Sequence, residues 1–491
     1  MAGANFSGTT SKGFTAEQLY STASYQANDL HGIDLGQNDL TGWNFAGQNL
    51  SGASFYQATL SGVTLTGATV AGASFCLTTS KGFTAQQLYS TASYQAKDLH
   101  GIVLGENNLN GWNCAGQNLT GADFYRMTLS GATLFGTILT GATVAEANFS
   151  AATSKGFTAQ QLYSTADYQA KDLHGIVLNY NDLTGWNFAG QNLSGTQFFG
   201  ATLSGATLTG ATVAGAYFGD TTGLTAQQLY GTASYQANDL HGISLYDNNL
   251  TGWNFAGQNL SGASFNCAWM PSADLTNANL TSAGLSSATL SGATLNGADL
   301  RGATSLNLTG ASTTNAILPD GTISTGLHLD QANPRLIVRD YNGSSPIPIH
   351  VTQGMTVESG STLQVLVSGP TWASTISFDP GIPVLLGGNL ELGVTPGTDP
   401  ADIIGTSYHL FDWTGVAPSG QFDIINDLPG PFLWDTSQLY TSGVVTLTAT
   451  VPGDANGDFV VDAADYITVK QNFGIRAVPS GWMATSTATA R

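Results

Sequence analysis

Charge is what this chain has least of. Only 9% of its 491 residues are Asp, Glu, Lys or Arg, and the 12 basic ones are scattered. A nucleic-acid partner needs clustered Lys and Arg to neutralise phosphates, and no basic stripe exists. Cysteine is nearly absent. Cys76, Cys114 and Cys267 fit no zinc or redox spacing. No apolar run is long enough to span a bilayer, and no secretory leader is visible. A nucleophile–base–acid set, a P-loop and a metalloprotease motif are all missing, which weighs against an enzyme and leaves the question open. The net charge is −20, unevenly spread. Residues 1–318 hold 16 acids and 7 bases, whereas residues 319–491 hold 16 acids and 5 bases in roughly half the length.

What is present is a five-residue beat. Residues 122–149 place Phe124, Leu129, Leu134, Leu139, Val144 and Phe149 five apart. A small residue, usually Ala, stands two before each, and Gly tends to follow two after. A helix has 3.6 residues per turn and would scatter every fifth residue around its cylinder. A strand alternates with period two. A short fixed period over many copies signals a solenoid, in which one unit cannot bury its Leu but stacked units bury a continuous column. Low-complexity polar text of this kind can also be disordered; the strict Leu/Phe column argues against it.

The beat resembles the pentapeptide-repeat family, with motif A-(D/N)-L-x-x, over residues 4–300. Units centre on Phe6, Leu30 to Phe75, Leu99 to Phe149, Leu173 to Phe218 and Leu240 to Leu300. The resemblance implies a right-handed quadrilateral β-helix with about four units per coil. Its inward residues would include Leu30, Leu35, Leu40, Phe45 and Leu50. Cys114 sits where sister blocks have Phe45, Phe188 and Phe255, and reads as a core substitution that leaves a partial void. The chain opens in register, with Ala4 and Phe6 already a unit. Solenoids are capped at their open edges, so the gene start is expected upstream, with an export signal there.

A longer repeat rides on the first. Thr-Ala-[Glu/Gln]-Gln-Leu-Tyr recurs from Thr15, Thr84, Thr158 and Thr225, at steps of 69, 74 and 67 residues. The second step is longer than the first by one pentapeptide. Thr15 and Gln18 have capping-box spacing, and the spacing predicts four short helices at Ala16–Gln26, Ala85–Gln95, Ala159–Gln169 and Ala226–Gln236. After each comes Asp-Leu-His-Gly, giving His31, His100, His174 and His241. Trp43, Trp112, Trp186 and Trp253 follow. An Asp–His pair beside a Trp invites a catalytic or sugar-binding reading. Against it, one extra unit turns everything downstream by a quarter turn. The four His are therefore expected to point in at least two directions, with Trp covering the docked helix.

Register fades after Leu300, and Pro319-Asp-Gly321 marks a boundary. Residues 319–451 read as a β-rich domain, with strands at Thr362–Val367, Val384–Leu386, Leu390–Val394, Tyr408–Phe411, Phe422–Ile425 and Val444–Thr450. A sandwich and a second β-helix both fit. Its end, residues 420–443, resembles the C-terminal region of bacterial secreted and autotransporter-type surface proteins.

Residues 452–474 hold the sharpest chemistry. Asp454, Asn456, Asp458, Asp462 and Asp465 fall at positions 1, 3, 5, 9 and 12 of a loop, with the Val460 carbonyl at position 7. That is Ca²⁺-loop spacing, because a hard cation needs several oxygens converging from one short segment. Asp462 can cap a following helix over 463–472. The stretch resembles a type I dockerin repeat, implying Ca²⁺ as the cofactor and a cohesin-like or cell-surface protein as partner. Phe459 replaces the usual Gly at position 6, and the second dockerin repeat is missing from the tail at 475–491.

Three functions follow for testing. The first is a secreted or cell-surface structural and interaction protein, a rigid β-helical rod with a calcium module. The second is a component of extracellular polysaccharide degradation, glycan-binding or associated with glycoside hydrolases. The third is a DNA-mimicking topoisomerase inhibitor, a role known among pentapeptide proteins. That role needs a dense acidic face, and a net −9 over 318 residues is thin. Neither nucleic-acid binding nor membrane insertion is expected.

Overall fold

The computed structural model describes residues 1–341, 343, 345–428, 432–449 and 467. It divides into two compact units. One holds residues 1–295 and 302–312, the other residues 296–301 and the described residues from 313 onward.

The first unit is a four-sided β-helix. Each pentapeptide contributes one parallel bridge residue, the one before the central Leu or Phe, most often polar. Asp29 bridges to Asn49, Asp34 to Ser54, Asp39 to Thr59 and Asn44 to Thr64. The partner is twenty residues on, so four units close one coil. Backbone groups are satisfied between coils as in a sheet: Leu30 N–H donates to the Asn49 carbonyl at 3.0 Å, and Asn49 N–H to the Asn28 carbonyl at 2.8 Å. The central residues point in. Leu30, Leu35, Leu40, Phe45 and Leu50 are fully buried, with Ala53 and Ala58 beside them. Every corner needs a left-handed residue, which is why Gly follows the centre by two; Gly42 has φ 73°. Where the corner is not Gly, as at Gln37 with φ 58°, the Cβ contact costs about 1–2 kcal/mol.

The helical insertions lengthen one coil without disturbing the rest. Asn5 pairs with Asp34, Ser74 with Val103 and Asn148 with Val177, each twenty-nine residues on, and Tyr217 with Ser244, twenty-seven on. Each insertion holds two short helices rather than one continuous helix: α1 Ala16–Tyr20 and α2 Ala23–Gln26, α3 Ala85–Tyr89 and α4 Ala92–Gln95, α5 Ala159–Tyr163 and α6 Ala166–Gln169, α7 Ala226–Tyr230 and α8 Ala233–Gln236. A threonine makes the break. Thr22 is extended (ψ 149°) and its side chain accepts from Tyr25 N–H, starting a new helix. The Thr15–Gln18 capping box is formed. Helices this short are marginal alone, and side chains tie them down. Gln48 Nε2 donates to the Tyr25 carbonyl at 2.9 Å. Tyr20 Oη accepts from Asn44 N–H at 2.5 Å, while Tyr25 Oη donates to the Asn44 carbonyl at 2.8 Å.

Bridging does not fade at Leu300. It continues, eighteen residues apart instead of twenty, from Thr294 to Ser312 and from Asp299 to Ile317.

The second unit is also a β-helix, and not a sandwich. Three parallel ladders run through it. Thr322–Ile323, Ile349–Val351 and Ile376–Phe378 form one. Leu327–Leu329, Met355–Val357, Val384–Leu386 and Ser419–Gly420 form the second. Arg335–Arg339, Thr362–Val367, Asn389–Val394 and Asp423–Asp427 form the third. Successive strands of a ladder come from successive coils, so Leu336, Leu363 and Leu390 stack in one buried column. An antiparallel sheet of Ser407–His409, Val444–Ala449 and Phe432–Asp435 follows.

Asp299 and Arg301 belong to this unit. Both side chains are fully buried. All five guanidinium donors of Arg301 are used. Nε and Nη2 hold Asp299 at 2.9 and 2.6 Å; Nη2 also reaches the Arg339 carbonyl at 2.9 Å; Nη1 reaches the Ile347 carbonyl at 3.0 Å and Ser374 Oγ at 2.7 Å.

Candidate functional site

The repeated Asp–His pairs form, but as local structure. His31 Nδ1 lies 2.7 Å from Asp29 Oδ1, and His100, His174 and His241 repeat this at 2.8, 2.9 and 2.8 Å. The same carboxylate oxygen takes the amide of an Asn one coil on, at 3.2 Å from Asn49 and from Asn118. The hydrogen bond from the His31 side chain, above all, holds Asp29 below the usual carboxylate range, and His100 does the same for Asp98. These pairs are half exposed. They fasten a corner to the next coil.

The bridges place the four His on two faces. Coil by coil, His31 is followed by Ser51, Ala71 and His100, whereas His174 is followed by Ser194, Ala214 and His241. The residue in the His100 column on the coil before His174 is Thr140, one pentapeptide short of Ala145, which is where His174 docks. The added unit in the second block rotates the later pair by one side. No single cleft can gather all four.

Each Trp covers the docked insertion. Trp43 packs edge-on against Phe14 and Tyr20, with centroids at 5.7 and 6.4 Å, and Trp112 meets Phe83 and Tyr89 in the same way. Beside two of these Trp residues lie shallow open hollows. One is lined by Thr79, Ser80, Phe83, Thr84, Asn108 and Trp112. The other has Thr153, Ser154, Phe157, Thr158, Tyr180, Asp182 and Trp186.

Reasoning from sequence missed one surface. Tyr180, Phe199, Tyr217 and Tyr246 touch each other on the outside of the coil. Centroids are 5.4 Å from Tyr180 to Phe199, 5.8 Å from Phe199 to Tyr217 and 6.4 Å from Phe199 to Tyr246. The signal was available in the repeat itself. Positions equivalent to Tyr180 hold Gln37, Glu106 and Asp247, and those equivalent to Tyr217 hold Ser74 and Asn148.

The calcium-loop residues Asp454, Asn456, Asp458, Val460, Asp462 and Asp465 lie outside the described residues. Among the described residues, no group of three or more His, Cys, Asp or Glu is placed to hold a metal, and no helix is long and apolar enough to cross a membrane.

Residues 29–75, 98–136, 172–220, 239–277 and 272–304 match the pentapeptide-repeat family, described as 8 copies. The chain carries pentapeptide repeats. No curated protein matches it. Among solved structures, the pentapeptide solenoid is similar to HetL, a pentapeptide repeat protein involved in heterocyst differentiation regulation from the cyanobacterium Nostoc sp. strain PCC 7120. That match has 24% identity, covers 62% of this chain and 98% of HetL, and has a TM-score of 0.15. A pentapeptide repeat protein from the Arabidopsis thaliana thylakoid lumen matches at 27% identity over 27% of this chain and 63% of its own, with a TM-score of 0.11. Full-length QnrB1, a plasmid-mediated fluoroquinolone resistance protein, matches at 17% identity over 44% of this chain and 87% of its own, with a TM-score of 0.14.

Proposed function

We propose that this pentapeptide-repeat chain is a secreted or cell-surface interaction scaffold whose C-terminal loop binds Ca²⁺. The observation that carries the calcium reading is the oxygen spacing at Asp454, Asn456, Asp458, Asp462 and Asp465. Four acids in twelve residues repel one another unless a cation compensates them. Asp454, Asn456, Asp458 and Asp465 are the side-chain ligands, Val460 gives its carbonyl, and Asp462 acts through water or caps the helix. Phe459 in a Gly-preferred conformation costs about 1–2 kcal/mol. Affinity therefore suits extracellular rather than cytosolic calcium. A cohesin-like or cell-surface protein is the partner that such a loop would serve. The scaffold reading rests on the repeats themselves, whose Asp–His pairs fasten corners to the next coil.

Calorimetry on the full chain tests the loop. Millimolar Ca²⁺ is expected to give saturable heat that is abolished in the Asp454→Ala, Asp458→Ala variant. Equal heat from the variant, or none from the parent, removes calcium from the reading.

A further inference from the structure

The four outward aromatics form a platform built on the coil. Tyr180 is 60% exposed, and its ring lies on Gly200, where a Cβ would meet ring carbons at 2.7 and 2.8 Å. Tyr217 and Phe199 lie over Gly219 in the same way, at 2.7 and 3.1 Å. In the sister blocks Gly200 is replaced by Gln57, Arg126 and Cys267, and Gly219 by Cys76 and Ser150. So the aromatic residues and the glycines beneath them differ from the sister blocks together, although Gly200 is itself the usual corner residue and only Gly219 lies off the corner. Tyr180 also holds a left-handed backbone, φ 57°, which is unusual for a bulky residue. The rings span four successive coils, through the column Tyr180, Gly200, Asp220 and Asp247. Three coil steps are about 14 Å.

The surroundings are acidic. From residue 172 to residue 300 the chain has seven Asp and no Lys or Arg. Asp220 and Asp247 are exposed in the platform's own column, and Asp182 is exposed beside Tyr180. Aromatic faces with carboxylates at their edge attract cations, and guanidinium most readily. The second block shows this chemistry completed within the chain. There Arg126, at the position of Gly200, lies 4.9 Å over the ring of Tyr125, at the position of Phe199, and pairs with Glu146. The third block keeps the ring and carboxylates and has no arginine.

We propose that the Tyr180–Phe199–Tyr217–Tyr246 platform docks an extended, Arg-bearing polypeptide segment of a partner. Alternate side chains of an extended strand repeat about every 6.6–6.8 Å, so the platform accepts two or three guanidinium groups. Their charge is balanced by Asp220, Asp247 and Asp182.

The test uses the full chain and a dye-labelled peptide of alternating Arg and Gly, followed by fluorescence anisotropy at low salt. A Gln-for-Arg peptide and a neutral β-glucan are the comparisons. One variant places sister-block residues on the platform: Tyr180→Gln, Phe199→Asn, Tyr217→Ser and Tyr246→Asn. Another is Asp220→Asn with Asp247→Asn. Each is expected to weaken the Arg peptide by about tenfold or more while circular dichroism stays unchanged. Added salt should weaken binding by the parent protein. The proposal is overturned if the parent does not bind the Arg peptide, if it binds the Gln peptide equally, or if either variant binds like the parent. Binding of the β-glucan that the aromatic variant abolishes and the Asp variant spares would instead make this a carbohydrate surface.

Discussion

Replacing Arg301 by Met should loosen the second unit far more than replacing Asp299 and Arg301 together. Arg301 spends every donor on a buried or partly buried acceptor, and its guanidinium also lies 5.2 Å from the Tyr341 ring. Arg301→Met leaves the Asp299 carboxylate, fully out of water, without its hydrogen-bonded partner, and Arg339 as the remaining cation in its field. It also leaves the Ile347 carbonyl without that donor. Breaking a buried pair by removing one partner costs about 3–5 kcal/mol. Replacing both charges with apolar groups of similar volume is often near neutral, because the desolvation cost of both ions disappears as well. The double variant Asp299→Leu, Arg301→Met should therefore recover much of the loss. A stacked array does not unfold in two states, so a single melting temperature is a poor measure. Native-state hydrogen exchange on the full chain resolves the strands Arg335–Arg339, Ile349–Val351 and Ile376–Phe378 separately. Arg301→Met is expected to cut their protection by about two to three orders of magnitude. Unchanged protection in the single variant, or lower protection in the double variant than in the single, would refute this account of the pair.

Leu129 is 1% exposed, and Leu129→Asp puts an unpaired charge in the column; a loss of at least 3 kcal/mol, about that of a broken buried pair, should appear as local exchange around 109–149, and a wild-type exchange profile would show that the inward assignment is wrong. Cys114 replaces a ring that Phe45 and Phe188 supply elsewhere; Cys114→Phe should raise local hydrogen-exchange protection around 94–134 by about 1–2 kcal/mol, and lowered protection would show that neighbours have closed the space. Burial pushes the Cys114 thiol up to about 12 and, with Glu106 and Asp123 adding to it, the Cys76 thiol up to about 11. A disulfide reagent at pH 8 should therefore modify exposed Cys267 first and spare the other two, and mass spectrometry of the adduct reads this directly. Asp98 is held low by the hydrogen bond from His100. Because its folded value is depressed, its small contribution to stability is present above the ordinary carboxylate range and is lost as pH falls through the folded value. His100→Ala should move the Asp98 titration up in carboxyl-carbon NMR, and an unmoved titration would mean that the pair does not interact in solution.

Much of this protein was settled by its sequence because the information is periodic. A Leu or Phe every fifth position admits no helix or plain strand, so the inward column and the outward polar row follow from counting, while closure after four units is what the family resemblance implied. The Thr15–Gln18 box announced a helix start for the same reason, since capping depends on neighbours three residues apart. The added pentapeptide in the second block likewise foretold that the four His would divide between two faces. Local spacing could not show what lies between coils. Whether residues 319–451 make a sandwich or a β-helix depends on which strands pair, and Leu336 meeting Leu363 rather than a hairpin neighbour is a tertiary choice. Thr22 looked like the middle of a helix until its side chain was seen to start a second one. Asp299 and Arg301 read as ordinary repeat residues, yet their partners are 38 to 73 residues away. Tyr180, Phe199, Tyr217 and Tyr246 are separate words in the text, and only the stacking of four coils brings their rings together.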